Sequence, residues 1–89
     1  MSLPTGKLAL VSGYRFQYEE AQQAHVLLYP EGMVKLNDSA AEIIKRCDGS
    51  HTVEEIIHSL ETQFPGVDLA ADVRALLEEA HDRGWIHAR

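Results

Sequence analysis

Cations, aromatics and cysteines are all scarce in this 89-residue chain. Eight lysines and arginines face fourteen aspartates and glutamates, for a formal net charge of −6. A surface of that sign is repelled by phosphates, so non-specific binding to nucleic acid or to an anionic membrane is disfavoured. The single cysteine, Cys47, excludes an internal disulfide framework and fits a reducing, cytoplasmic setting. No apolar run approaches the ~20 residues of a membrane span. The longest candidate, Leu8-Ala9-Leu10-Val11, is too short even for a signal-peptide core. The length allows one small domain with a thin core. Such a chain cannot easily wall off a catalytic pocket of ~300–1,000 Å³ without a partner.

Catalytic and cofactor motifs are missing as well. The six glycines are scattered and form no Gly-x-Gly-x-x-Gly cradle, and no serine lies in a Gly-x-Ser-x-Gly elbow. His25, His51, His58, His81 and His87 include no pair at the i,i+4 spacing that sets two imidazoles on one helical face for zinc. They read as solvated surface histidines. Cys47 falls on a helical apolar stripe and reads as a small buried hydrophobe. Neither an enzyme, a metal site nor a bound cofactor is expected.

What is present is a change of period. Residues 1–13 carry Pro4, Gly6 and Gly13 without sustained periodicity and read as a flexible N-terminal arm. From Tyr14 the pattern alternates: Tyr14, Phe16 and Tyr18 against Arg15, Gln17 and Glu19, a half-buried strand. Ala24 to Tyr29 forms a second, more apolar strand, Tyr29-Pro30-Glu31-Gly32 a turn, and Met33 to Leu36 a short third strand. The period then becomes 3.6. Ser39 with Glu42 and Thr52 with Glu55 have capping-box spacing, and Asp68 can cap a third helix. The apolar stripes are Ala40, Ile43, Ile44 and Cys47; then Val53, Ile56, Ile57, Leu60 and Phe64; then Leu69, Val73, Leu76, Leu77 and Ala80. Gly49, Pro65-Gly66 and Gly84 stop the three helices, and Trp85-Ile86 should fold back onto the core. Residues 14–89 are thus expected as one α+β domain: a three-stranded antiparallel sheet followed by a three-helix bundle, winged helix-turn-helix-like.

That shape raises DNA binding as an alternative. The third helix, Asp68 to Arg83, sets five carboxylates against Arg74 and Arg83, and the wing offers only Lys35. Phosphates should be repelled. The other use of such a shape is its sheet border. The third strand ends the meander, and an unpaired edge can take an extended peptide as an added strand.

The run His25-Val26-Leu27-Leu28-Tyr29-Pro30-Glu31-Gly32-Met33-Val34-Lys35-Leu36-Asn37 is long and specific. With Ser39 to Ile44, Cys47-Asp48-Gly49 and Gly84-Trp85-Ile86, it resembles the PqqD family of pyrroloquinoline quinone (PQQ) biosynthesis over roughly Tyr14 to His87. The resemblance implies a non-enzymatic, cytoplasmic peptide chaperone. Such a protein binds the precursor peptide PqqA by strand addition and presents it to the radical S-adenosylmethionine enzyme PqqE. Carried onto this chain, the peptide would add beside Met33, Val34, Lys35 and Leu36 and pack on the third helix near Val73, Arg74, Leu76 and Leu77. Lys35 and Arg74 would meet acidic peptide side chains. A monomer or weak homodimer is the expected state.

Overall fold

The computed structural model describes residues 3–89. Met1 and Ser2, the first residues of the expected arm, lie outside the described residues. The chain runs β1 (Leu8–Leu10), β2 (Arg15–Glu19), β3 (Ala24–Tyr29), β4 (Gly32–Lys35), α1 (Asp38–Lys45), β5 (Asp48–His51), α2 (Val53–Gln63), α3 (Ala70–Asp82) and β6 (Ile86–Ala88). The architecture is mixed α+β, with two three-stranded antiparallel sheets ordered β2-β3-β4 and β5-β1-β6.

The meander β2-β3-β4 matches the alternating pattern. The second sheet corrects two expectations. The chain does not run three strands and then three helices, because β5 separates α1 from α2 and β6 follows α3. Nor is the stretch before residue 14 a loose arm throughout. Leu8 is wholly buried, and β1 is the central strand between β5 and β6. The Lys7 carbonyl accepts from the Arg89 N–H at 2.7 Å and Val11 N–H donates to the Trp85 carbonyl at 2.9 Å, so both ends of β1 are tied to the C-terminal segment.

Helix boundaries follow from local oxygen donors and acceptors. At α1 it is Asn37, not Ser39, that caps: its side-chain oxygen accepts from Ala40 N–H at 2.8 Å. The expected Ser39–Glu42 box does not form; Glu42 instead accepts from Arg46 at 2.9 Å. The Thr52–Glu55 box at α2 forms in full, with bonds of 3.2 and 2.8 Å. At α3 the Asp68 carboxylate accepts from Ala70 N–H at 3.3 Å, although Leu69 occupies the N-cap position. Gly84, at φ +79°, closes α3 with Gly84 N–H on the His81 carbonyl and Trp85 N–H on the Ala80 carbonyl, the paired bonds of a Schellman motif. Gly49 does not end α1, which finishes at Lys45; it lies in β5 at φ +87°, where a Cβ would come within 3.1 Å of the Arg89 guanidinium.

One core joins both sheets and all three helices. Leu8, Leu27, Ile44, Ile56, Leu77 and Ile86 are its largest fully buried members. Trp85 and Ile86 do fold back into it. Phe64, counted on the apolar stripe of α2, instead stays 41% exposed at the helix C-cap.

Candidate functional site

The outer border of β4 follows from the pairing register. Val26 faces Lys35 and Leu27 faces Val34 across β3 and β4. Leu36 N–H donates to the His25 carbonyl at 2.9 Å, which makes 25 and 36 a hydrogen-bonded pair. Antiparallel ladders alternate, so Val34 and Gly32 also direct their N–H and C=O groups to β3, and Met33 and Lys35 direct theirs outward. Among the described residues no strand pairs with that outer side. β4 therefore presents two residues' worth of open main-chain donors and acceptors.

Side chains divide the same way. Val34 and Leu36 share the face that meets the core: Leu36 is buried and Val34 packs half-buried against the cluster. Met33, 43% exposed, and Lys35 lie on the other face in solvent. From α3, Val73 and Leu77 are buried in the same cluster as Leu36, and Leu76 packs half-buried against it. Val34, Leu36, Val73, Leu76 and Leu77 all belong to, or pack against, the one core cluster that spans both sheets and the three helices. Of these, Val34 and Leu76 retain accessible apolar surface, whereas Val73 and Leu77 have almost none to offer a ligand.

Arg74 is placed elsewhere. Two positions along a helix it lies about 160° around the axis from Leu76. Its guanidinium approaches Glu54 of α2 at 3.4 Å, beside Leu3 to Gly6 and Glu78. The other α3 cation, Arg83, bonds Glu79 at 2.9 Å and covers the Trp85 ring at 5.6 Å. Both cations of this helix have carboxylate partners, which leaves little positive field for a phosphate backbone.

A model of the family "Coenzyme PQQ synthesis protein D (PqqD)" matches residues 24–86. The chain belongs to the PqqD family. Relatives named "PqqA binding protein" include one from Pseudomonas savastanoi pv. phaseolicola, 57% identical over 75 residues that cover 83% of this chain and 80% of the relative. Another, from Pseudomonas aeruginosa, is 53% identical over 89 residues, 97% of each chain. Among solved structures, the PqqD truncation of Methylobacterium extorquens PqqCD is similar with a TM-score of 0.68 and 30% identity, covering 90% of this chain and 87% of that one. That structure is described as a functional, stand-alone recognition element for ribosomally synthesized and post-translationally modified peptides.

Two side-chain groups of this PqqD family member look reactive and are not arranged for it. Cys47 is buried, and burial, with the Asp48 charge adding to it, pushes its thiol pKa up to about 12. Asp48, Ser50 and His51 hold the residue types of a hydrolytic triad on β5. The Ser50 hydroxyl donates to Asp48 Oδ1 at 2.6 Å, and Asp48 and Ser50 both contact His51 Nδ1, each at 3.1 Å. A relay needs the base between nucleophile and acid through its two separate nitrogens; here both meet the same one. Among the described residues no group of three His, Cys, Asp or Glu side chains could hold a metal ion, and no helix is long and apolar enough to cross a membrane.

Arg46 is the structurally important residue that periodicity passed over. It bonds the Glu42 carbonyl at 2.7 Å and Ser59 Oγ at 2.9 Å, clamping α1 to α2. Nothing local announces it, because Ser59 is thirteen residues away.

Proposed function

We propose that this chain is a non-enzymatic carrier that binds an extended precursor peptide, of the kind called PqqA, and hands it to the enzyme that modifies it, a radical S-adenosylmethionine protein of the PqqE kind. The observation that carries the reading is the open outer side of β4, where Met33 and Lys35 direct N–H and C=O groups into solvent. An added strand would satisfy those groups, with its backbone supplying affinity and its alternate side chains supplying selectivity. Val34 and Leu76 offer the half-buried apolar surface against which one or two peptide side chains would rest. Lys35, the one cation of β4, would meet a peptide carboxylate. In this reading β3 and β4 act as the wing of a winged helix-turn-helix-like unit put to use for a peptide instead of a duplex. The names of the relatives and the description of the M. extorquens neighbour support the ligand class. Bond-making belongs to the partner; this chain supplies local concentration and orientation.

The test is a titration of the isotope-labelled full chain with synthetic PqqA, followed by amide shifts. Perturbations at Met33 to Leu36 and at Leu76 are expected, with saturation and no change in the peptide's mass. Shifts confined to α2, or none at all, would reject the groove. Calorimetry with the radical enzyme added tests the handover: a ternary complex is expected, and displacement of the peptide by the enzyme would refute it.

A further inference from the structure

A second surface is unexplained by peptide capture at β4. A cavity of about 580 Å³ opens between α1, the end of α2 and the start of α3, within the ~300–1,000 Å³ range of binding sites. Ala41, Leu60, Phe64, Val67, Leu69 and Val73 give it an apolar floor and wall. Phe64 and Val67 are 41% and 51% exposed, two of the four large hydrophobics left exposed among the described residues. Core packing does not require them there: Phe64 sits at a helix C-cap, Val67 in the connection that follows, and both lie outside the core cluster.

The rim is acidic. Asp38, Glu42 and Asp72 line it, and no lysine or arginine does. Glu42 is engaged by Lys45 at 3.4 Å and Arg46 at 2.9 Å. Asp38 and Asp72 have no cationic partner among the described residues. Each stands in the first turn of its helix. The remaining titratable side chain is His25, set between the rings of Phe16 and Tyr18 at 5.0 and 5.2 Å. It belongs to β3, the central strand, whose two edges are already paired. Among the described residues no unpaired strand edge lines the cavity, so side-chain anchors carry the affinity and the helix-in-groove mode fits where strand addition does not.

We propose that this groove docks a second protein through an amphipathic helix whose apolar stripe is flanked by lysines or arginines. The apolar anchors would fill the space beside Phe64 and Val67. The flanking cations would pair with Asp38 and Asp72, and the chain's net charge of −6 would steer the encounter. Met33, Val34, Lys35 and Leu76 do not line the cavity, and Val73, which does, is almost wholly buried, so the accessible docking residues differ from those of the peptide reading.

The experiment titrates the labelled full chain with a synthetic amphipathic helix of leucines and lysines, and with a second version carrying glutamate for every lysine. Shifts are expected at Ala41, Phe64, Val67 and Leu69, with affinity falling about fivefold or more between ~50 and ~300 mM salt as screening shortens the reach of the rim charges. Phe64→Ser with Val67→Ser should abolish binding, and Asp38→Asn with Asp72→Asn should weaken it severalfold, each double variant keeping a cooperative thermal melt. Equal binding of the glutamate version, shifts at Met33 to Lys35 instead, or unchanged affinity in either folded double variant would overturn the proposal.

Discussion

Cys47 is a thiol kept from becoming a thiolate. Its sulfur lies 3.7 Å from the Ile43 carbonyl inside the core, and the pKa of about 12 leaves almost none of the nucleophilic form near neutrality. Iodoacetamide at pH 8 should therefore leave the native chain unmodified and alkylate it fully in urea; mass spectrometry reads both. Cys47→Ala should cost about 0.5–1.5 kcal/mol, the range for removing one buried heavy group, and should leave peptide binding unchanged. Asp48 next to it behaves in the opposite sense. The Ser50 hydroxyl foremost, then Ser50 N–H and His51, draw its pKa down to about 2 from 3.8. A depressed folded pKa stabilises above the unfolded value, so this contribution is complete above pH ~4 and disappears as pH falls toward ~2. The carboxylate is exposed, so the gain is small. Ser50→Ala should raise the Asp48 midpoint toward the ordinary aspartate value in a carbon-detected titration. An unchanged midpoint would show that the hydroxyl is not the cause. At this scale the sequence was a fair guide to Cys47, whose stripe position is visible by spacing. It was no guide to Asp48, Ser50 and His51, whose mutual bonds depend on Gly49 turning the strand at positive φ.

At the scale of elements, what could be read was what is local. The α2 capping box and the glycine stop of α3 involve residues three to five apart, and both stand as the spacing suggests. β2, β3 and β4 follow one another through short turns, so their pairing needs no distant information. β5 escaped notice because Asp48-Gly49-Ser50-His51 has the composition of a turn and gains its strand geometry only from β1, some forty residues earlier. At Arg74, α3 spacing marks an exposed position but does not say that α2, with Glu54, lies on that flank. The β4 edge yields a discriminating pair of variants. Proline at Lys35 removes an outward N–H and leaves the β3–β4 ladder intact, as edge strands tolerate. Proline at Val34 removes a ladder bond. Lys35→Pro should melt close to the parent and bind PqqA about 2- to 12-fold more weakly than Lys35→Ala, the worth of one hydrogen bond at ~0.5–1.5 kcal/mol. Val34→Pro should lose about 3 kcal/mol of stability. If Lys35→Pro binds as well as Lys35→Ala, no strand is added at that border.

For the whole molecule, the decisive feature is how three distant segments close on each other. β1 joins residues 8–10 to residues 48–51 and 86–88, so the N-terminal segment holds the C-terminal one and both brace the junction between α1 and α2. An 89-residue chain buries only roughly 60–65% of its unfolded surface, and a net stability of ~5–15 kcal/mol leaves little to spare. Leu8 is a sensitive probe because it is wholly buried at the centre of that closure. Leu8→Ala should cost about 2–5 kcal/mol, lowering Tm by about 8 °C or more at ~4–8 °C per kcal/mol for a domain of this size. Lys7→Ala, one residue earlier and exposed, should stay within ~0.5 kcal/mol. The edge proposed for the peptide lies in the other sheet. A Leu8→Ala chain that remains folded at low temperature should therefore keep its affinity for PqqA while losing thermal range. Equal melts for the two variants would mean that the first strand is dispensable and that the meander with three helices folds alone. A loss of affinity with the fold intact would mean instead that closure of the second sheet sets the position of α3 against β4.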